Sequence, residues 1–468
     1  MALKQFIIDF KDLSIDPKLG LKDYAPLYKN GISLKNFLLN RSTNIDIRSG
    51  RTPSRFNEQY WNGEHEFLTM ANVDTLTFTI NEICEDKITD VAIDEDKTLY
   101  KTKKDSLIIS NAMTLGLSFL VDRSVYINQN VFEVNLDETK INKKFVLWYF
   151  NLIIRPLFQN TYTSKYLTKD ELGRIKLPNI SKAKQDNMVK QIEQIEQRIR
   201  SLKKTIVKPS FIINKVFERE FKFDATKFES LKQVKFYETD FISFSNNKDL
   251  RQSVKFHRNA GVFVYEQLKL ITNKKIKNFL AEPIVLGAGV SPLNYDENGD
   301  YYYITMANIK NWKYESEGCK LVSKEYSDKN LNKTVFKNDI LIARSGEGTI
   351  GKVALIEDEN LNGIFADFTM RIRLKNYNPL FAYYYFRTDY FQYLVEINKK
   401  GLGNNTNIFP VQIQEFPMID ISPSKQQYIV EVIESELNKQ KEIEMQIQSE
   451  RNKIEKILKS TIEENSFN

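Results

Sequence analysis

The sequence predicts an α+β fold: two homologous globular α/β domains joined by two long antiparallel coiled-coil helices, an internal repeat with pseudo-twofold symmetry. Three observations carry that expectation. Residues 181–206 place Met188, Ile192, Ile195, Ile199, Leu202 and Ile206 at steps of 4, 3, 4, 3 and 4, the a/d spacing of a coiled-coil seam. Residues 424–458 carry a second seam of Ile429, Ile433, Ile443, Ile447, Ile454 and Ile457, with Glu436, Gln440 and Glu450 as polar intruders. Phrases from the first half then return in the second at a nearly constant distance. Leu68–Asn72 reappears as Ile304–Asn308 and Tyr149-Phe150 as Tyr385-Phe386, both 236 residues on (308 − 72 and 385 − 149). Repetition over such a distance marks a duplicated unit.

Taken in order, the chain opens with a weakly patterned stretch, expected to be an edge or lead-in. From Phe37 onward Gly, Ser, Asn and Pro alternate with short apolar runs such as Leu76–Ile80 and Leu107–Ser110, which reads as loops and short strands. Phe145–Ile154 is apolar enough for a buried helix, expected to end at Arg155-Pro156, with a polar loop over Gln159–Lys165. The first rod follows, with Ser181 as its expected N-cap. Its 26 residues, free of Gly and Pro, span about 39 Å. So narrow a stripe cannot bury itself, and the second rod is the natural cover. Both rods begin alike, Lys184-Gln185 against Lys425-Gln426, 241 apart (426 − 185). Weaker echoes link Asp105–Ser110 to Asn338–Ala343 and Thr52-Pro53 to Ser291-Pro292.

Composition bounds the function. A chain of 468 residues allows two to four domains, and 41% hydrophobic with 28% charged residues is ordinary for a globular protein. The net charge of +7 permits an anionic partner. Two cysteines, Cys84 and Cys319, do not make a disulfide framework and suit a reducing compartment. The first residues do not read as a signal peptide, and the longest apolar run falls short of the ~20 residues a membrane helix needs. A cytoplasmic protein is expected.

Catalytic signatures fail on inspection. Gly346–Lys352 has the literal phosphate-loop spacing, but Val353 replaces the Ser or Thr that would hold magnesium, and VALIED reads as a strand. A tight turn between strands fits better. Asp86, Asp90, Glu95 and Asp96 resemble a nuclease metal cluster only by spacing. His65 and His257, the two histidines, leave little material for zinc or imidazole chemistry. No sequence of the NPPY type appears. The basic stretch Asn246–Asn259, with Phe241, Phe244 and Phe256 interleaved, suits either nucleic-acid stacking or a solvated face.

Two related domains, two rods and no catalytic centre resemble the specificity (S) subunits of type I restriction-modification systems. The resemblance lies in Ser49–Asp74, SGRTPSRFNEQYWNGEHEFLTMANVD, in Ile304–Lys310, ITMANIK, in Asn338–Ile356, NDILIARSGEGTIGKVALI, and in the pre-rod stretch from Lys400 to Gln427. It implies residues 36–178 as a first target-recognition domain, after a lead-in of 1–35, and 179–207 as a central spacer helix. A second target-recognition domain would span 208–418, including an extra basic and aromatic segment at 208–280. A C-terminal spacer helix at 419–463 and a tail at 464–468 complete the division. Each domain would read half of a split adenine-containing duplex target, and the helices would recruit two modification subunits. Those subunits would bind S-adenosylmethionine and methylate adenine; restriction subunits would add ATP- and magnesium-dependent cleavage as antiphage defence. This chain would be non-catalytic and hold no cofactor. The alternative is a coiled-coil adaptor without sequence-specific DNA binding.

Base and phosphate chemistry then selects the candidates. Asn suits adenine, Arg and Lys suit guanine, and hydroxyl groups suit phosphate. In the first domain these are Arg48, Arg51, Thr52, Ser54, Arg55, Tyr60, Asn72, Thr163 and Lys165. In the second they are Ser291, Asn294, Asn308, Arg344, Ser345, Lys352, Asn404 and Asn405. Residues repeated in both halves, as Thr69 with Asn72 and Thr305 with Asn308, equally suit a turn common to both, because readers of different bases should differ.

Overall fold

A computed structural model of the chain describes residues 31–80, 84–161, 165–242, 253–346, 348–401 and 406–466. Contacts divide them into two units. One comprises the described residues up to Ile206 together with those from Ile443, and the other spans Val207–Glu442. Among the described residues no helix is long and apolar enough to cross a membrane.

Each unit is built on the same two sheets. In the first, strands Ile47–Ser49, Val131–Val134, Leu107–Ser110 and Ser118–Leu120 lie side by side in that order. In the second, Val285–Leu286, Thr369–Ile372, Ile340–Ala343 and Val353–Leu355 repeat it. The other sheet is centred on Trp61–Leu68, flanked by an antiparallel Lys87–Ile88 and a parallel Tyr126–Ile127. Its counterpart is Tyr301–Ile304, flanked by antiparallel Lys320–Val322 and parallel Gly363–Phe365. Leu107–Ser110 and Ile340–Ala343 are buried at every position, as continuous apolar runs between two packed layers require. The glycine-rich run Arg344–Lys352 is a turn joining antiparallel strands, as its sequence predicts.

The apolar stretch at Phe145 does form a buried helix, but Arg155-Pro156 does not end it. Lys143–Tyr149 passes into a π-helical turn, Phe150–Ile154, and continues as Arg155–Thr161. The wider turn shifts the hydrogen-bond register just where Pro156 has no N–H to offer. In the second unit the equivalent Pro379–Phe386 stops, and Thr388 caps a new helix, Asp389–Asn398.

The rods are helices Lys182–Lys204 and Pro423–Ser466. Ser181 occupies the N-cap position without a side-chain capping bond. The predicted seam of the first rod is buried from Met188 to Ile199, but so are Gln185, Val189 and Glu196. A second face is covered because the rod also packs on its own globular unit, where the Trp148 indole donates to Glu196 at 3.1 Å. The second rod divides its work. Ile429, Val430 and Ile433 enter the core of the second unit. Ile447, Ile454, Leu458 and Ile462 join Met188, Ile192, Ile195 and Ile199 in the first. Leu458, outside the predicted seam, is fully buried, whereas Ile457 is only partly so. Arg198 meets Glu450 at 3.8 Å. Past that contact the second rod keeps burying apolar residues in a core shared with Met188 and Ile192, which precede Arg198. The two rods therefore run antiparallel.

One segment departs from the predicted division, and another fills out the domain it was expected in. Strand Ile32–Ser33 pairs with Lys176–Leu177 and Leu34 is fully buried, so the first globular core takes in part of the expected lead-in. Helices Pro209–Phe221, Ala225–Lys232 and Asn259–Ile271 are likewise no loose appendage. Ile213, Phe217, Phe228, Val264 and Leu268 are buried with Phe381, Tyr385 and Tyr390 in the core of the second unit. Asn246–Gln252 of the basic stretch, and Phe244, lie outside the described residues.

The repeat extends to buried hydrogen bonds. Gln185, 1% exposed, accepts the Asn142 N–H at 2.9 Å and donates to the Ile180 carbonyl at 2.8 Å. Gln426, 2% exposed, accepts the Asn378 N–H at 2.9 Å and donates to the Ile421 carbonyl at 3.0 Å. Asn142 and Asn378 in turn cap the aromatic helices. Leu34 N–H to Ile175 O (2.8 Å) has its twin in Ile276 N–H to Phe416 O (3.0 Å). Replacing Gln185 by Leu strands a donor and an acceptor, each costing about 1–3 kcal/mol when buried without a partner. Gln185→Leu should therefore lower the urea midpoint of unfolding by an amount equivalent to about 2 kcal/mol or more, and Gln426→Leu should do likewise. An unchanged midpoint in both would remove the glutamines from the account of what anchors the rods.

Candidate nucleic-acid interface

Four candidates of the first unit, Arg51, Thr52, Ser54 and Arg55, gather on one loop, and Tyr60 ends the turn that follows it. The loop opens at Gly50, where a Cβ would lie 1.7 Å from the Ile127 carbonyl oxygen, so only glycine passes. It closes at Asn57, whose side chain accepts the Gln59 N–H and caps the turn Glu58–Tyr60. Six residues, 51–56, lie between. Arg51 contacts Asp96 at 3.4 Å, and Thr52 donates to Gln129 at 2.6 Å. Exposed Ser54 offers its carbonyl to the Trp61 indole at 3.0 Å. Arg55 makes a two-bond pair with Asp86, at 2.6 and 3.3 Å, and its guanidinium rests 3.8 Å from the Trp61 ring centroid. Tyr60 donates to Glu95 at 2.5 Å, and His65 contacts Asp90 at 2.7 Å. The acids that resemble a metal cluster by spacing are thus each engaged by a different side chain. Among the described residues no group of three or more His, Cys, Asp or Glu is placed to hold a metal.

Arg48 stands on the neighbouring sheet edge, with the Tyr100 hydroxyl 3.3 Å away. Tyr100 donates to buried Glu133 at 2.5 Å. Burial, then this bond, raises the Tyr100 phenol above its ordinary range and keeps it a donor. Lys165 is exposed, while Thr163 lies outside the described residues.

In the second unit the same loop opens at Gly287, where a Cβ would lie 2.1 Å from the Phe365 and Ala366 carbonyl oxygens. It closes at Ser291, which caps the turn Pro292–Asn294. Only three residues, Ala288, Gly289 and Val290, lie between. Beyond it the frames coincide. Thr89 donates its N–H to the Tyr60 carbonyl at 3.1 Å, and Ser323 to that of Asn294 at 2.8 Å. Trp61 pairs with Ile88, and Tyr295 with Val322. Thr89 and Ser323 each cap a short helix. These matches share one offset, 234 (291 − 57, 295 − 61, 323 − 89). The apparent echo of Thr52-Pro53 in Ser291-Pro292 is therefore not a structural one, because Ser291 stands where Asn57 does. At the same offset Asp86 corresponds to Lys320 (320 − 86), a residue the sequence reading passes over. Its ammonium lies 4.7 Å from the Tyr295 ring centroid.

Three candidates are corrected by burial. Asn72 and Asn308, 5% and 4% exposed, accept the N–H and hydroxyl of Thr69 and Thr305 and close identical turns. Asn308 also donates to the Glu315 carbonyl at 3.1 Å. Their amide oxygens are spent inside the fold, which is why the phrase repeats. Ser345 is buried at 8% exposure, bridged to Asn407. Its neighbour Arg344 is half-buried. It donates to Asn407 at 3.3 Å and lies 5.5 Å from the Phe409 ring, while its Nε–H is buried without an acceptor among the described residues. Lys352 is half-buried too, with no acceptor for its ammonium among the described residues. Gly346, Gly348 and Gly351 hold this turn at φ of 87°, 78° and 85°, values that favour glycine. Asn404 and Asn405 lie outside the described residues.

The family model described as "Type I restriction modification DNA specificity domain" matches residues 44–208 and again 288–455. The sequence matches none of the curated proteins compared with it. Among solved structures, the chain is similar to a type I restriction-modification S subunit from M. genitalium, at 13% identity and a TM-score of 0.41, covering 93% of this chain and 97% of that one. It is also similar to a chain from a study of complex assembly and conformational transition of the type I R-M system, at 11% identity and a TM-score of 0.46, covering 93% and 98%. The HsdS subunit from Thermoanaerobacter tengcongensis aligns at 11% identity and a TM-score of 0.30, covering 94% and 97%. The assignment rests on the family match, which covers more than half of the residues in two separate copies. The chain belongs to the type I restriction modification DNA specificity family.

Proposed function

We propose that this specificity chain divides its labour, each unit reading one half of a split duplex target while the paired rods set the gap. The observation that carries this reading is the contrast between what the two units share and what they do not. Buried bonds, turns and strand order match pair for pair, whereas the exposed loop and its cations differ. A scaffold used twice with different tips suits two different half-sites. In this reading the rods also carry two modification subunits. Those bind S-adenosylmethionine and methylate adenine, and restriction subunits bind ATP and magnesium. This chain supplies recognition and no catalytic step, and works in the cytoplasm. An adaptor that never touches DNA is not favoured by the family match.

Exchanging residues 36–178 for those of a relative with another specificity should change one half of the methylated sequence and leave the other half intact. Methylome sequencing of a host carrying the exchanged chain reads the outcome; a change in both halves, or in neither, would count against independent reading.

A second prediction concerns the glycine-rich turn. Lys352 offers charge without fixed geometry, so Lys352→Ala should weaken all duplexes alike and reduce the salt slope of binding by about 1. Arg344, steadied by Asn407 and Phe409, has a fixed edge to present. Arg344→Ala should cost about 1–3 kcal/mol and relax one position of one half-site. Fluorescence anisotropy with duplexes substituted position by position, across a salt series, separates the two. Equal affinity for wild type and Arg344→Ala at every salt concentration would return this turn to a structural role.

A further inference from the structure

We infer that the cation resting on the aromatic ring beside the central strand reads a base in each unit: Arg55 on Trp61 in the first, Lys320 on Tyr295 in the second. This rests on the reading above, that each unit contacts one half-site. Trp61 and Tyr295 are equivalent in pairing and in offset, so the space over each ring is the same place on a shared scaffold. Both units fill that place with a cation, but from different sources. In the first unit Arg55 comes from the six-residue loop; the second unit's three-residue loop has no cation to offer, and Lys320 comes from the flanking strand. A scaffold element would repeat its residues, as Thr69 with Asn72 and Thr305 with Asn308 do. Here the geometry repeats and the chemistry changes, which is what a specificity position requires.

The arrangement around Arg55 is that of a reader held ready. Asp86 accepts from both Nη atoms, and Trp61 supports the guanidinium face. The Nε–H and the Nη hydrogen beside it remain, and that edge matches O6 and N7 of guanine. The Arg55 side chain is 52% exposed, and so open an ion pair contributes little to stability. The pair therefore does more for orientation than for the fold. Asp86 and Trp61 are positioning residues. Lys320 is a point charge with three rotatable donors, so its preference for guanine acceptors should be looser. Phe56, beside Arg55, is 99% exposed and available to stack or wedge against bases.

The test is selection from a random duplex library by the full chain assembled with its modification subunits, followed by sequencing of the retained duplexes. Wild type should retain a two-part sequence. Arg55→Ala should lose the preference for guanine at one position of one part by roughly 5- to 150-fold, with the other part unchanged. Arg55→Lys, which keeps the charge but not the two-bond edge, should lose it too. Asp86→Asn should weaken the same position less, a change a merely structural carboxylate would not produce. Lys320→Ala should act on the other part alone. A two-part sequence unaltered by both Arg55→Ala and Lys320→Ala would overturn this inference and leave divided reading standing. A wild-type assembly that retained no sequence would overturn that reading itself.

Discussion

A glutamine buried beneath the first turn of each long helix ties that helix to its globular unit. Gln185 and Gln426 each satisfy a backbone amide at the cap of the aromatic helix and a carbonyl just before their own helix. A leucine could fill the space but would leave both backbone groups without partners, and an unpaired polar group in a low-dielectric interior is expensive. The bonds are also directional in a way apolar contact is not. They fix the rotation of the rod about its axis and its position along the unit. With the joint made in one way, the first rod turns Met188, Ile192, Ile195 and Ile199 inward and brings Glu196 to Trp148.

Fixing the joint twice leaves the loops free to differ. The strands that carry the candidate interface are short, and their order is the same in both units. Glycines pressed against carbonyl oxygens open each loop, and the capping side chains of Asn57 and Ser291 close it. Between those anchors, loop length can change from six residues to three without disturbing a core bond, because loop-closure entropy changes slowly with length. Loops set on a rigid frame are where binding residues collect in many folds. In the first unit the interface cations are paired with the carboxylates of Asp86 and Asp96. This lowers their net charge while orienting them, so attraction to a polyanion is traded for placement.

The helices between Pro209 and Ile271 have no equivalent among the described residues of the first unit. Their outer segment exposes Phe236 at 90% and Phe241 at 83%. Their inner faces join an aromatic cluster in which Phe217 stacks on Phe381 and Phe228 on Tyr390, at 5.5 and 5.0 Å between centroids. The family match skips residues 209–287, yet removing that layer would uncover the helix that carries the Asn378 joint.

Much of this was legible in the sequence because it rests on period and repetition. The rods declare themselves through spacing of 3.5, and the duplication through phrases that recur in order; both are local patterns that survive without coordinates. The glycine-rich turn was legible too, since Val353 begins a strand and not a helix. Tertiary structure decided what depends on residues far apart in the chain. Asn72 and Asn308 look like adenine readers until burial shows their amides closing turns. Ser291 looks like the counterpart of Thr52 until strand pairing gives it the place that Asn57 holds in the first unit. Lys320 has no motif at all; only the register of its strand against Tyr301–Ile304 carries its ammonium to the Tyr295 ring. Pattern reports which face of an element leaves water. Which side chain of one element meets which of another is decided by packing, and that is where recognition is made.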